Sequence, residues 1–135
     1  MSATSAERLT QKRATGKLLG IPLAVQKALV GTIAVLNNAG FAEMGTTATT
    51  KKALGVFAET VDNSGGAAGD LKASIDRGVF KFANSTAGDA IALTDYGANC
   101  YVVDNQTVAK TDGSGTRSIA GVIRGVDPDG VWVEF

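Results

Sequence analysis

Apolar and polar side chains alternate most clearly between Gly55 and Phe82. Val56, Ala58 and Thr60 interleave with Phe57, Glu59 and Val61, which is the two-residue period of a strand. Asn63-Ser64-Gly65-Gly66 and Gly69-Asp70 interrupt that period with turn-forming residues. Leu71, Ala73 and Ile75 then alternate with Lys72, Ser74 and Asp76, and an Asp76-Arg77-Gly78 corner leads into Val79-Phe80-Lys81-Phe82. This pattern predicts a three-strand antiparallel meander with Asn63–Asp70 as an exposed loop.

Similar signals run along the rest of the chain. Leu29–Leu36 reads as a β-branched strand, Asn37–Gly40 as a hairpin turn and Phe41–Met44 as the returning strand. Gly45–Lys52 is polar and threonine-rich, which predicts a surface loop. A helical turn is expected within Ala90–Ala98, then strands over Cys100–Val103, Thr107–Ala109 and Ser118–Val126. Asp127-Pro128-Asp129-Gly130 is a strong turn before Val131, Val133 and Phe135, which alternate with Trp132 and Glu134. A faint internal echo links Val35–Asn38 with Val103–Gln106 and Gly55-Val56-Phe57 with Gly121-Val122-Ile123. Duplication of one unit and convergence on similar hairpins both account for it. Either way the pattern predicts an all-β body of about 8–10 short strands, folded as a small barrel or sandwich.

The first 27 residues differ from this body. Residues 1–20 lack a sustained apolar stripe and read as an extended arm. Leu18, Leu19, Ile21, Leu23 and Val25 form an apolar stretch broken by Gly20 and Pro22, which suits an edge strand or a strap. The chain therefore divides into an arm and strap over 1–27 and a barrel body over 28–135. Arg8, Lys12, Arg13, Lys17 and Lys27 stand against Glu7 alone, a net charge of +4, which leaves −4 on the remainder. A basic arm on an acidic body suits docking on an acidic protein surface. Five scattered cations without an interleaved aromatic are a poor footprint for nucleic acid.

Candidate chemistry is sparse. The chain has no histidine, so the usual general base and the commonest metal ligand are missing. Its one cysteine, Cys100, sits in an apolar strand and is expected to be buried. The glycines at 65, 66 and 69 lack the strand-to-helix context of a phosphate loop, and no apolar run reaches membrane-spanning length. The N-terminus has no apolar core of a signal peptide. These features predict a protein without catalytic residues, cofactor or metal. Trp132, the only tryptophan, alternates away from the core valines and is a candidate intersubunit residue.

Several segments, in order along nearly the whole chain, resemble one family. They are Arg8-Leu9-Thr10 in the arm, Ala34–Ala42, Glu59–Gly66, Arg77–Phe80, Val103–Gly113, and Ala120–Ile123 with Gly130–Val133. Together they are similar to the head decoration, or cement, proteins of tailed bacteriophages and Mu-like prophages. The resemblance implies a β-tulip-like barrel with an extended N-terminal arm. It implies binding to the major capsid protein on the outer surface of the phage head, after assembly in the host cytoplasm. A homo-oligomer is implied, with a trimer favoured over a dimer, and neither nucleic acid nor membrane is a partner. Carried onto this chain, Arg8, Lys12, Arg13, Lys17, Leu18, Leu19, Ile21 and Leu23 are the expected capsid or neighbour contacts. The alternatives are a virion-displayed domain that binds a host-surface ligand through loops 45–52 and 111–116, and a tail component.

Overall fold

The computed structural model describes residues 17–135. The chain is all-β, as its alternation predicts. In its first half lie β1 (Lys17–Pro22), β2 (Lys27–Ala28), β3 (Ile33–Leu36), β4 (Ala42–Met44), β5 (Lys52–Phe57), β6 (Val61–Asp62) and β7 (Lys72–Asp76). Five of these form a sheet in the order β1-β7-β5-β3-β4, and β2 and β6 make a separate short ribbon. The second half holds β8 (Val79–Asn84), β9 (Asn99–Val102), β10 (Thr107–Ala109), β11 (Ile119–Asp127) and β12 (Gly130–Glu134). These close into a five-stranded barrel in the order β10-β8-β12-β11-β9. A 3₁₀ turn at Leu93–Asp95 lies within Ala90–Ala98, where a helical turn is expected, and a second, Ala87–Asp89, precedes it.

The three-strand meander is not formed. β5 and β7 pair, but β8 leaves for the other sheet. The reason is competition for an edge. Lys17–Pro22 pairs along the free side of β7, so no edge remains for β8. Arg77-Gly78 instead carries the chain across, and Phe80 and Phe82 pair with Val133 and Val131. Lys17–Pro22 is thus an integral strand, and a boundary at residue 27 falls inside the first unit.

The two halves are copies of one arrangement. β1, β3, β4, β5 and β7 occupy the same places as β8, β9, β10, β11 and β12, and every corresponding neighbour pair is antiparallel. Across β3, β4 and β5 the register matches β9, β10 and β11 at a 66-residue offset, while β7 maps onto β12 at 58 residues. Ala34 faces Gly55 as Cys100 faces Gly121, and Val35 faces Ala53 as Tyr101 faces Ile119. Leu54 and Ala120 are the extra, bulged residues in both pairs. Gly31 N–H bonds Phe57 O as Gly97 N–H bonds Ile123 O, each at 2.9 Å. The second barrel closes through parallel pairing of β10 with β8, including Val108 with Asn84. Its counterpart in the first unit is a single parallel bridge, Leu23 with Ala42. The common strand order and the shared bulge at Leu54 and Ala120 favour duplication of one unit over convergent hairpins, although the bulges in β1 and at Arg124 belong to one unit each. The sequence match at Gly55-Val56-Phe57 is in register. The match of Asn37-Asn38 to Asn105-Gln106 is two residues out, because it aligned turn chemistry rather than strand position.

Each unit fills its interior differently. Phe57 in the first is surrounded by Ala34, Ala42 and Ala73, whereas the second places Ile123, Cys100, Val108 and Val131 at those positions. One large side chain among alanines and several medium ones fill comparable space. Strand alternation turns Ile33, Val35 and Val56 to the opposite side of the first sheet, and there they join the core of the second barrel. Polar bonds fix this joint. Ile33 N–H donates to Asn105 O at 2.9 Å, and the Thr47 hydroxyl donates to Val103 O at 2.7 Å. Buried Ser118 donates to Ala48 O and accepts from Lys51 N–H. The polar 45–52 segment is therefore pinned to the second barrel. The 63–70 loop is likewise anchored, since buried Asn63 donates through its amide to the carbonyls of Leu23, Ala24 and Ala67.

Gly55 and Gly121 are required by close approach. A Cβ would lie 2.2 Å from Asp76 O at Gly55 and 2.3 Å from Glu134 O at Gly121. Replacing either with alanine is expected to cost about 2–4 kcal/mol in urea denaturation, because the adjacent strand must move. Gly65→Ala, where no atom lies within 4 Å, is expected to change stability by less than about 0.5 kcal/mol.

Candidate functional site

The sequence-predicted contact residues are scattered by the fold. Arg8, Lys12 and Arg13 lie outside the described residues. Lys17 pairs with Asp76 at 3.2 Å across β1 and β7. Leu19 lies within β1. Leu18 and Ile21 pack against the core of the first unit, and Leu23 is fully buried within it. Leu23 is therefore not available to a neighbouring molecule, because the first unit uses it to fill its own interior.

Trp132 stands on the outside of the second barrel, as its alternation with Val131 and Val133 predicts, and is 38% exposed. Strand register places it between Lys81 on β8 and Gly125 on β11. Its indole N–H donates to Asp127 Oδ2 at 2.8 Å. The Lys81 ammonium lies 5.7 Å from the ring centroid and pairs with Asp127 at 3.5 Å and Asp129 at 2.6 Å. The hydrogen bond between Lys81 and Asp129 raises the lysine above its ordinary value and holds the Asp129 carboxyl below its own.

A second aromatic lies on the other side of the β11 bulge. Tyr96 is 59% exposed, and the Arg124 guanidinium sits 5.7 Å from its ring centroid. Arg124 reaches Glu134 Oε2 through Nε and Nη2, both at 2.9 Å. That hydrogen bond raises the Arg124 pKa above its ordinary value. Two exposed aromatic rings are thus each held by a cation that is itself held by a carboxylate. Tyr, Trp and Arg in fixed positions are the residue types that dominate protein–protein contacts, since they bring area at little further entropic cost. Sequence reasoning found Trp132 and missed Tyr96, Lys81 and Arg124. Tyr96 lies in a turn, and Arg124 owes its placement to a bulge that strand alternation does not reveal.

The first unit supplies an internal control. At the counterpart positions it carries Ser74 for Trp132, Ala58 for Arg124 and Val30 for Tyr96. The first unit keeps its strand order with Ser74 and Ala58 there and without the Arg124 bulge, so the strand order does not demand the large side chains.

Elsewhere the structure is closed. Among the described residues no pocket is present, and no three His, Cys, Asp or Glu side chains gather as a metal set. The 111–116 tip is tied to itself and to the barrel. The Thr116 hydroxyl donates to Gly113 O at 2.8 Å, and Arg117 reaches Asp89 at 3.3 Å and Thr111 O at 3.1 Å. Cys100 is fully buried, with Sγ 3.6 Å from Gly121 O, and burial pushes its thiol up to about 11.

Trp132→Ser, which installs the first unit's residue, is expected to lower stability by less than about 1.5 kcal/mol by circular dichroism in urea. The raised Cys100 pKa also sets a pH dependence. Below pH 9 the thiol is neutral in both folded and unfolded chains. Between pH 9 and about 11 only the unfolded thiol ionises. Stability is therefore expected to fall by roughly 2–3 kcal/mol across that window. Cys100→Ala, matching Ala34 in the first unit, is expected to remove this loss. Comparison with protein-family models, curated proteins and solved structures finds no match to this chain.

Proposed function

We propose that this protein is a non-catalytic capsid decoration protein, which binds the outer surface of a tailed-phage head and braces the major capsid protein shell. The observation that carries the reading is the outer face of the second barrel. Trp132 and Tyr96 are held there by Lys81 and Arg124, at positions where the first unit keeps small residues. Side chains that the fold does not need, fixed in place before any partner arrives, suit a protein surface that adheres. The resemblance of the sequence segments to phage cement proteins suggests a capsid shell as the surface it adheres to. A brace also has to resist force. An open sheet whose reverse face is buried in the core of a closed barrel suits that task, since neither part peels away without breaking the joint. In this reading the basic residues Arg8, Lys12 and Arg13 add a second contact, on the shell or on a neighbouring copy.

Sedimentation with undecorated, expanded capsids of the encoding phage tests the reading. Saturable binding at micromolar protein is expected, with a rise in the temperature at which the shell releases its DNA. No binding at that concentration overturns it. Trp132→Ser is expected to weaken binding by about tenfold or more, as loss of a hot-spot anchor does. Removing residues 1–16, which leaves β1 intact, is expected to weaken binding most at low salt, where charge attraction reaches furthest.

A further inference from the structure

We propose that copies of this chain associate head to tail through the same contact that joins the two units within it. The intrachain joint seats the outer face of β3 and β5 on the end of the second barrel. On that face Ile33, Val35 and Val56 are buried, and at that barrel end so are Val102 and Ala120. The repeat supplies each side of this joint a second time. Asn99, Tyr101, Ile119 and Val122 occupy the face positions on β9 and β11. Leu36 and Leu54 occupy the barrel-end positions in the first unit, beside the Asn37–Gly40 turn.

Neither of these second surfaces has a partner within the described residues. Ile119 is 49% exposed, Tyr101 and Val122 are half-buried, and Leu36 and Leu54 stay partly open where Val102 and Ala120 are closed. The occupant that fits is therefore a second copy, because the molecule already shows this face seated on this kind of barrel end. The bond from Ile33 N–H to Asn105 O has its counterpart in Asn99 N–H and Ala39 O of the second copy. Asn99 replaces Ile33, and Lys52 replaces Ser118, so the contact between copies is weaker than the one within the chain and depends on concentration. The two surfaces differ, so the contact is heterologous. It closes into a ring if the rotation permits and otherwise extends. The inference does not rest on capsid decoration, because it concerns the free protein.

Sedimentation equilibrium of the full chain, without capsids, tests it. Wild type is expected to gain mass with concentration. Ile119→Lys spoils only the face, and Ala39→Lys spoils only the barrel end; both are exposed positions. Each variant alone is expected to associate at least about tenfold more weakly than wild type. Mixed one to one, they retain one good face and one good end, and a heterodimer that grows no further is expected. An isologous dimer would not show this rescue. The proposal is overturned if wild type stays monomeric to about 1 mM, if neither variant weakens association, or if the mixture yields no heterodimer. Circular dichroism of both variants checks that each has folded.

Discussion

The fold depends on the seating of Ile33, Val35 and Val56 against the end of the second barrel. Each unit is roughly 60 residues, a size at which a single core is marginal. The first unit is also lined largely by alanine, and its two edges meet only at one bridge, between Leu23 just after β1 and Ala42 in β4. Giving the reverse face of its sheet to the second barrel lets the same strands bury side chains on both sides. That is why β3 reads as an unbroken buried run, Ile33-Ala34-Val35, rather than as an alternation. The joint also removes the open end of the second barrel, and Ile33 N–H, Thr47 and Ser118 satisfy the polar groups that close contact would otherwise strand.

Repetition and divergence together separate structure from use. Where both units keep the same residue, as at Gly55 and Gly121, backbone geometry leaves no choice. Where they exchange volume, as with Phe57 and Ile123, the interior is only being filled. Where one unit carries a small residue and the other Trp132, Arg124 or Tyr96, neither reason applies.

Much of the strand content was legible because most strands are half-buried and alternate, and because Asn37–Gly40 and Asp127–Gly130 carry unmistakable turn chemistry. Pairing was less legible. Val79–Phe82 follows β7 after a tight corner, and only the presence of Lys17–Pro22 on β7 explains why it pairs elsewhere. Gly20 and Pro22 break the period of Lys17–Pro22 and mark it as an edge strand or a strap; it is the edge strand of the first sheet, and its bulge between Leu18 and Ile21 accommodates the break. The duplication was barely legible, since few positions are identical and the polar turns drew the alignment out of register. Of the candidate site, only Trp132 was visible. Its neighbours come from β8, a bulge in β11 and the turn before β9, and no local pattern links them.

Amide hydrogen exchange at Ile33 tests the central claim, that the two units share one cooperative core. Its N–H bonds to Asn105 O across the joint, so it reports on the joint itself. The account predicts that Ile33 exchanges only on global unfolding, at the rate of the slowest amides in β12. Exchange at Ile33 that is orders of magnitude faster than in β12, with the second barrel still protected, would show that the units separate independently and would contradict it.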